Sequence, residues 1–183
     1  MRSGFRQQLR PVVWFNMMKL QCAVILAILL LGNVAYGAIT VETQPSKQKT
    51  SRSDFDEDHL DLVVKDNGKI TTWSYFYSSY GIASANVELD TQGNVFILLR
   101  HGEGRGTSVR QEYITAFRYE KNSLDRIVTF PVSGFAGSGT QWEYRIKVYK
   151  PKAGGLQFKL TRRLTGDDVV VYPSQKERTI IIK

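Results

Sequence analysis

From Leu60 to the C-terminus the chain is written in short runs of period two, separated by turn residues. Between Gln141 and Leu164 the pattern is clearest. Trp142, Tyr144, Ile146 and Val148 alternate with Glu143, Arg145, Lys147 and Tyr149; after Pro151 to Gly155, Leu156, Phe158 and Leu160 alternate with Gln157, Lys159 and Thr161. Successive side chains of a strand point to opposite faces, so this is a hairpin with one apolar and one charged face. It places Trp142 and Tyr144 in the core. It also gathers Arg145, Lys147, Lys159 and Arg163 into a basic strip on the outward face, where Glu143 is the only acid.

The same signals recur along the chain. Leu62 to Lys65 meets Ile70 to Tyr77 across Asp66-Asn67-Gly68-Lys69, where Asn-Gly supplies the two positive-φ residues of a tight hairpin turn. Ile82 to Leu89 meets Val95 to Arg100 across Asp90 to Asn94, and further strands are expected over Ser108 to Tyr119, Ile127 to Val132, Val169 to Tyr172 and Thr179 to Ile182. No segment carries a helical period. The fold expected is all-β, an antiparallel β-sandwich or barrel-like meander of about 8–10 short strands. Val95 to Leu99 is apolar at every position, which marks a strand covered on both faces and places it in the middle of the structure.

The N-terminal segment has a different grammar. Arg2, Arg6, Arg10 and Lys19 precede an apolar run from Cys22 to Leu31, and Ala35-Tyr36-Gly37 supplies the small residues of a cleavage site. Residues 1–37 are therefore expected to be a secretory leader cut after Gly37, with Met17 or Met18 as a more compact start. Gly32, Asn33 and Gly37 interrupt the roughly 20 apolar residues that a membrane span needs. Contact with a membrane is expected only through the leader, if it stays uncleaved. Residues 38–59 read as a flexible tether of Thr, Ser, Gln and Lys ending in Asp54, Asp56, Glu57 and Asp58, and residues 60–183 as a single β domain. The location expected is secreted or periplasmic.

Composition narrows the chemistry. The only cysteine, Cys22, lies in the leader, so the exported part has no disulfide, thiolate nucleophile or cysteine-ligated zinc. The formal charge of +8 also shrinks without the leader, to 21 cations against 17 acids, or +4. That balance and the expected export argue against a nucleic-acid partner.

Gly102 to Gly106, after Arg100 and His101, has the look of a phosphate cradle, but a cradle needs a helix N-terminus behind its glycines and a period-two segment follows instead. What remains is an anion-tolerant edge carrying Arg100, His101 and Arg105. Asp54, Asp56 and Asp58 have calcium-loop spacing, but His59 and Lys65 occupy the places of the required Gly and Glu, so no metal site is expected. No Gly-X-Ser-X-Gly is present, and Ser138 sits in the glycine-rich stretch Gly134 to Gly139. No cofactor or catalytic residue is assigned; a small secreted hydrolase centred on His101 and the glycine-rich loops is the alternative.

Trp73, Tyr75 and Tyr77 form an aromatic stripe on one face of Ile70 to Tyr77. Such stripes stack on sugar rings when exposed, although packing into a core is their commoner use, and the small polar Thr72 and Ser74 on the other face favour it here. The function expected is non-catalytic binding of an envelope polymer (a glycan) or a protein partner, through the aromatic stripe or the basic strip.

Overall fold

The computed structural model describes residues 39–47, 59–104, 109–136, 139–164 and 175–183. Among them the period-two segments become ten strands: β1 (Thr40–Pro45), β2 (His59–Asp66), β3 (Lys69–Tyr77), β4 (Ala83–Leu89), β5 (Val95–Glu103), β6 (Val109–Glu120), β7 (Ser123–Ala136), β8 (Gly139–Tyr149), β9 (Leu156–Leu164) and β10 (Glu177–Ile182). All pairings are antiparallel. They build a three-stranded sheet in the order β1-β2-β3 and a seven-stranded meander in the order β10-β9-β8-β7-β6-β5-β4. This is the all-β, sandwich-like class the pattern predicts.

Turn chemistry sets the hairpins. Asn67 and Gly68 take φ of 52° and 77° between β2 and β3, as the Asn-Gly pair requires. Lys121 and Asn122, at 50° and 63°, do the same between β6 and β7 without a glycine, because asparagine tolerates the left-handed region.

Two cores lie on opposite sides of β5. Phe96 and Leu98 join Phe130, Trp142, Phe158 and Ile182 inside the curl of the large sheet. Ile97 and Leu99 join Leu62, Val64, Phe117 and Tyr119 between the sheets, with Val41 and Phe76 packed against them. The apolar run is thus buried on both faces, as expected, yet β5 is second from an edge of its sheet. It is central between layers, not in strand order. Fully burying a side chain of this size contributes about 1.5–3 kcal/mol, so β5 is among the most stabilising segments.

Several expectations need correction. Residues 40–45, expected within a flexible tether, form β1, paired from Thr40 opposite Lys65 to Pro45 opposite Leu60. Thr40, Val41 and Thr43 are β-branched and suit a pleated strand, Val41 packs on the inter-sheet core, and Glu42 pairs with Lys65 at 2.6 Å. Strand β5 continues through Gly102 to Glu103, so the expected glycine loop begins later. Strand β7 runs well past both ends of Ile127 to Val132. The leader, the acidic run Asp54 to Asp58, Arg105, Ser138 and the strand expected over Val169 to Tyr172 lie outside the described residues.

Candidate functional site: the cleft between β3 and β7

Strand β7 pairs with β6 along its length but with β8 only from Ser133 to Ala136. Two features mark the end of this pairing, one inside the paired stretch and one just beyond it. The pairing shifts register at Gly134, where the Trp142 indole occupies the space a Cβ would need. Pro131, which has no N–H to donate, stands beside a bulge. From Leu124 to Pro131 the far edge of β7 has no strand partner among the described residues. Strand β3, as the outer strand of its sheet, also has an edge with no strand partner among the described residues.

These two edges flank a cleft of about 770 Å³. Its lining shows how each strand meets it. Consecutive residues Ser74 to Tyr77 of β3 and Arg126 to Thr129 of β7 line it, whereas β5 and β6 contribute alternate residues, Leu99, His101 and Glu103, then Thr115 and Phe117. Alternate residues share a face, so β5 and β6 form a floor seen face-on. Consecutive residues mean a strand met edge-on. The cleft is a slot with two strand edges for walls and a sheet face for a floor.

The floor is polar at its centre. His101, 7% exposed, lies with Nε2 3.0 Å from Thr115 Oγ1, which in turn lies 2.9 Å from Thr129 Oγ1. Phe76 meets the His101 ring edge-on and Tyr113 stacks on it, each with ring centres 6.0 Å apart. Nδ1 of His101 has no hydrogen-bond partner; the Glu103 carboxylate is 3.9 Å away, too far for one. Burial pushes the His101 pKa below its ordinary value and Glu103 offsets this in part, so the ring is neutral at pH 7. The Tyr75 hydroxyl is also buried without a partner. A buried polar atom left unpaired costs about 1–3 kcal/mol, which a bound group supplying the missing bond recovers.

The sequence-predicted residues divide. Tyr75, Tyr77 and His101 come together in the cleft; Trp73 does not line it, although it shares a strand face with both tyrosines. That face is the outer one. The small side of β3, with Thr72 and Ser74, faces the core, because β2 opposite it supplies Leu62 and Val64. The stripe divides: Trp73 is 52% exposed, whereas Tyr75 and Tyr77 are half-buried and Tyr75 stacks on His59 at 4.9 Å. Arg100 and His101 point to opposite faces of β5 yet both line a second cavity of about 290 Å³, where Arg100 binds Glu112 through Nε at 3.1 Å and Nη2 at 2.5 Å. The basic strip is exposed, with Lys147 directly opposite Lys159. Thr115 and Thr129 went unremarked in the sequence. Their signal is a hydroxyl inside an apolar strand run, in Tyr113 to Phe117 and in Ile127 to Val132.

The order Glu103, His101, Thr115 is that of an acid–imidazole–hydroxyl relay. Such a relay also needs amides free to hold an oxyanion. Strand β6 is paired on both edges at Thr115, which commits the amides around that hydroxyl to the ladder. The amides around Thr115 are therefore not free to hold an oxyanion. No family model, curated protein or solved structure matches this chain, which leaves the geometry of the cleft as the guide to its function.

Proposed function

We propose that this chain is an exported, non-catalytic binding domain that takes an extended segment of a protein partner into the cleft between β3 and β7. The edge-on geometry of the two walls carries the proposal. Unpaired strand edges offer rows of N–H and C=O groups, the complement of an extended backbone, and a peptide laid along either edge gains main-chain hydrogen bonds. Four residues on each wall span about 13 Å, enough for a segment of four or five residues. His101, Thr115 and Thr129 in the floor favour a small polar side chain pointing inward, flanked by apolar ones against Leu99 and Phe117. The leader supports export.

Selection of displayed random peptides on the purified chain tests this. Binders should alternate in polarity and should slow amide hydrogen exchange along β3 and β7. Failure to select any, or binders that protect β8 and β9 instead, would sink the proposal. A second reading, glycan stacking on Trp73, has the exposure of that ring in its favour; it predicts glycan retention that Trp73→Ala abolishes and that cleft substitutions leave alone.

A further inference from the structure

The outward face of β8, β9 and β10 is laid out by its register. Tyr149, Gln157 and Ile181 form one cross-strand row; Lys147, Lys159 and Thr179 form the next; Arg145, Thr161 and Glu177 follow, and Glu143 and Arg163 close the face. Rows stand about 6.7 Å apart and neighbouring strands about 4.8 Å. Glu143 is taken by Arg163 at 3.4 Å, and Arg145, Lys147 and Lys159 have no ion-pair partner among the described residues. Lys147 and Lys159 stand directly opposite each other, an arrangement that works against folding and that a bound negative charge relieves.

Beside these cations the face turns apolar. Ile181 is 60% and Tyr149 45% exposed, and they share the row next to the lysines. From this juxtaposition we infer that the face of β8, β9 and β10 docks on an anionic lipid bilayer. Anionic headgroups complement the basic rows, while a tyrosine tip and an isoleucine settle at the boundary between headgroups and acyl chains. A soluble acidic polymer would use the charges and leave the apolar row unused. No residue of this face lines the cleft, so membrane and peptide can be held at once.

Co-sedimentation of the purified chain with phosphatidylcholine vesicles, with and without phosphatidylglycerol, decides the matter. The leader, if present, is common to every variant. Binding should rise with phosphatidylglycerol and fall with added salt. Lys147→Gln with Lys159→Gln should weaken it roughly 25-fold, about fivefold per charge. Tyr149→Ser with Ile181→Ser should weaken it as well, with circular dichroism unchanged. Equal binding to both vesicle types overturns the inference. So does vesicle binding indifferent to Tyr149→Ser with Ile181→Ser but abolished by free dextran sulfate, since the face would then be a site for soluble polyanions.

Discussion

Asp90 Oδ2 accepts the backbone amide of Gly155 at 2.6 Å, joining two hairpin turns that are 65 positions apart. The same carboxylate accepts the amides of Gln92 and Asn94, both at 2.8 Å, and the Asn94 side-chain amide at 2.7 Å. Thr91 donates to the Pro151 carbonyl at 2.6 Å, and Lys150 pairs with Glu88 at 2.9 Å. The β4–β5 turn is thereby fastened to the β8–β9 turn, which holds the large sheet in the curl that encloses Phe96, Phe158 and Ile182. Burial opposes ionisation of Asp90, but the four hydrogen bonds outweigh it and hold the carboxyl far below the usual carboxylate range.

Asp90→Asn should therefore be costly. The new NH₂ would face amide donors where an acceptor stood, and the loss expected is about 3 kcal/mol, at the upper end for hydrogen bonds to a buried charge. Urea unfolding at pH 7 measures it. The sign of the pH effect follows from the depressed pKa: the stabilisation is fully present above the unfolded value near 3.9 and drains away as pH falls below it. The variant should lack that acid limb. Equal acid sensitivity in both proteins would remove Asp90 as the clamp.

His101 works in a higher window. Its folded pKa is depressed by burial, so the unfolded chain binds the proton more readily and stability falls as pH drops below about 6.5. His101→Gln should flatten the dependence of the urea midpoint between neutral pH and about pH 5. Glu103→Gln should steepen it, since removing that carboxylate leaves the imidazolium with less compensation. A slope that ignores both substitutions would mean the ring is solvated and not buried in the floor.

Gly134 and Gly102 both lie in strands and should respond differently to alanine. A Cβ on Gly134 would collide with the indole of Trp142, itself fully packed, whereas on Gly102 the nearest atoms are Arg110 Cδ and Ser79 Cβ at 3.8 Å, an ordinary contact. Gly134→Ala should cost about 1–3 kcal/mol by overpacking. Gly102→Ala should stay within about 0.5 kcal/mol. Trp142 fluorescence during urea unfolding reports both; comparable losses would mean that the Trp142 ring is not packed tightly over Gly134.

Much of this fold was legible because alternation and turn chemistry are local. Asn67-Gly68 announced its turn, Trp142 and Tyr144 their burial, and Val95 to Leu99 its two covered faces. Strand β1 was not, because Thr, Glu and Gln around a single Val41 look like linker until β2 is there to pair with them. The exposure of Trp73 was hidden for a related reason: which face of β3 turns inward is decided by Leu62 and Val64 on its partner, not by the size of its own side chains. The cleft was invisible for a deeper one. It arises where β7 leaves β8 beyond Ser133, and no single-strand pattern encodes a strand edge left open.

That open edge gives the sharpest test of peptide binding. In a regular antiparallel ladder, neighbouring residues direct their N–H groups to opposite edges. Val128 pairs with Ala116 and Thr129 with Thr115 in regular register, so one of the two amides serves β6 and the other faces the cleft. Proline removes the amide it replaces. Of Val128→Pro and Thr129→Pro, the one that breaks a β6 bond should cost about 3 kcal/mol or more, while the other should melt close to wild type and lose affinity for any peptide selected on the parent chain. Thr129→Val, which removes the hydroxyl and keeps the amide, separates the floor from the wall: it should change which inward residue is preferred without abolishing binding. A well-folded proline variant with undiminished peptide affinity would show that the walls of the cleft are not its recognition surface.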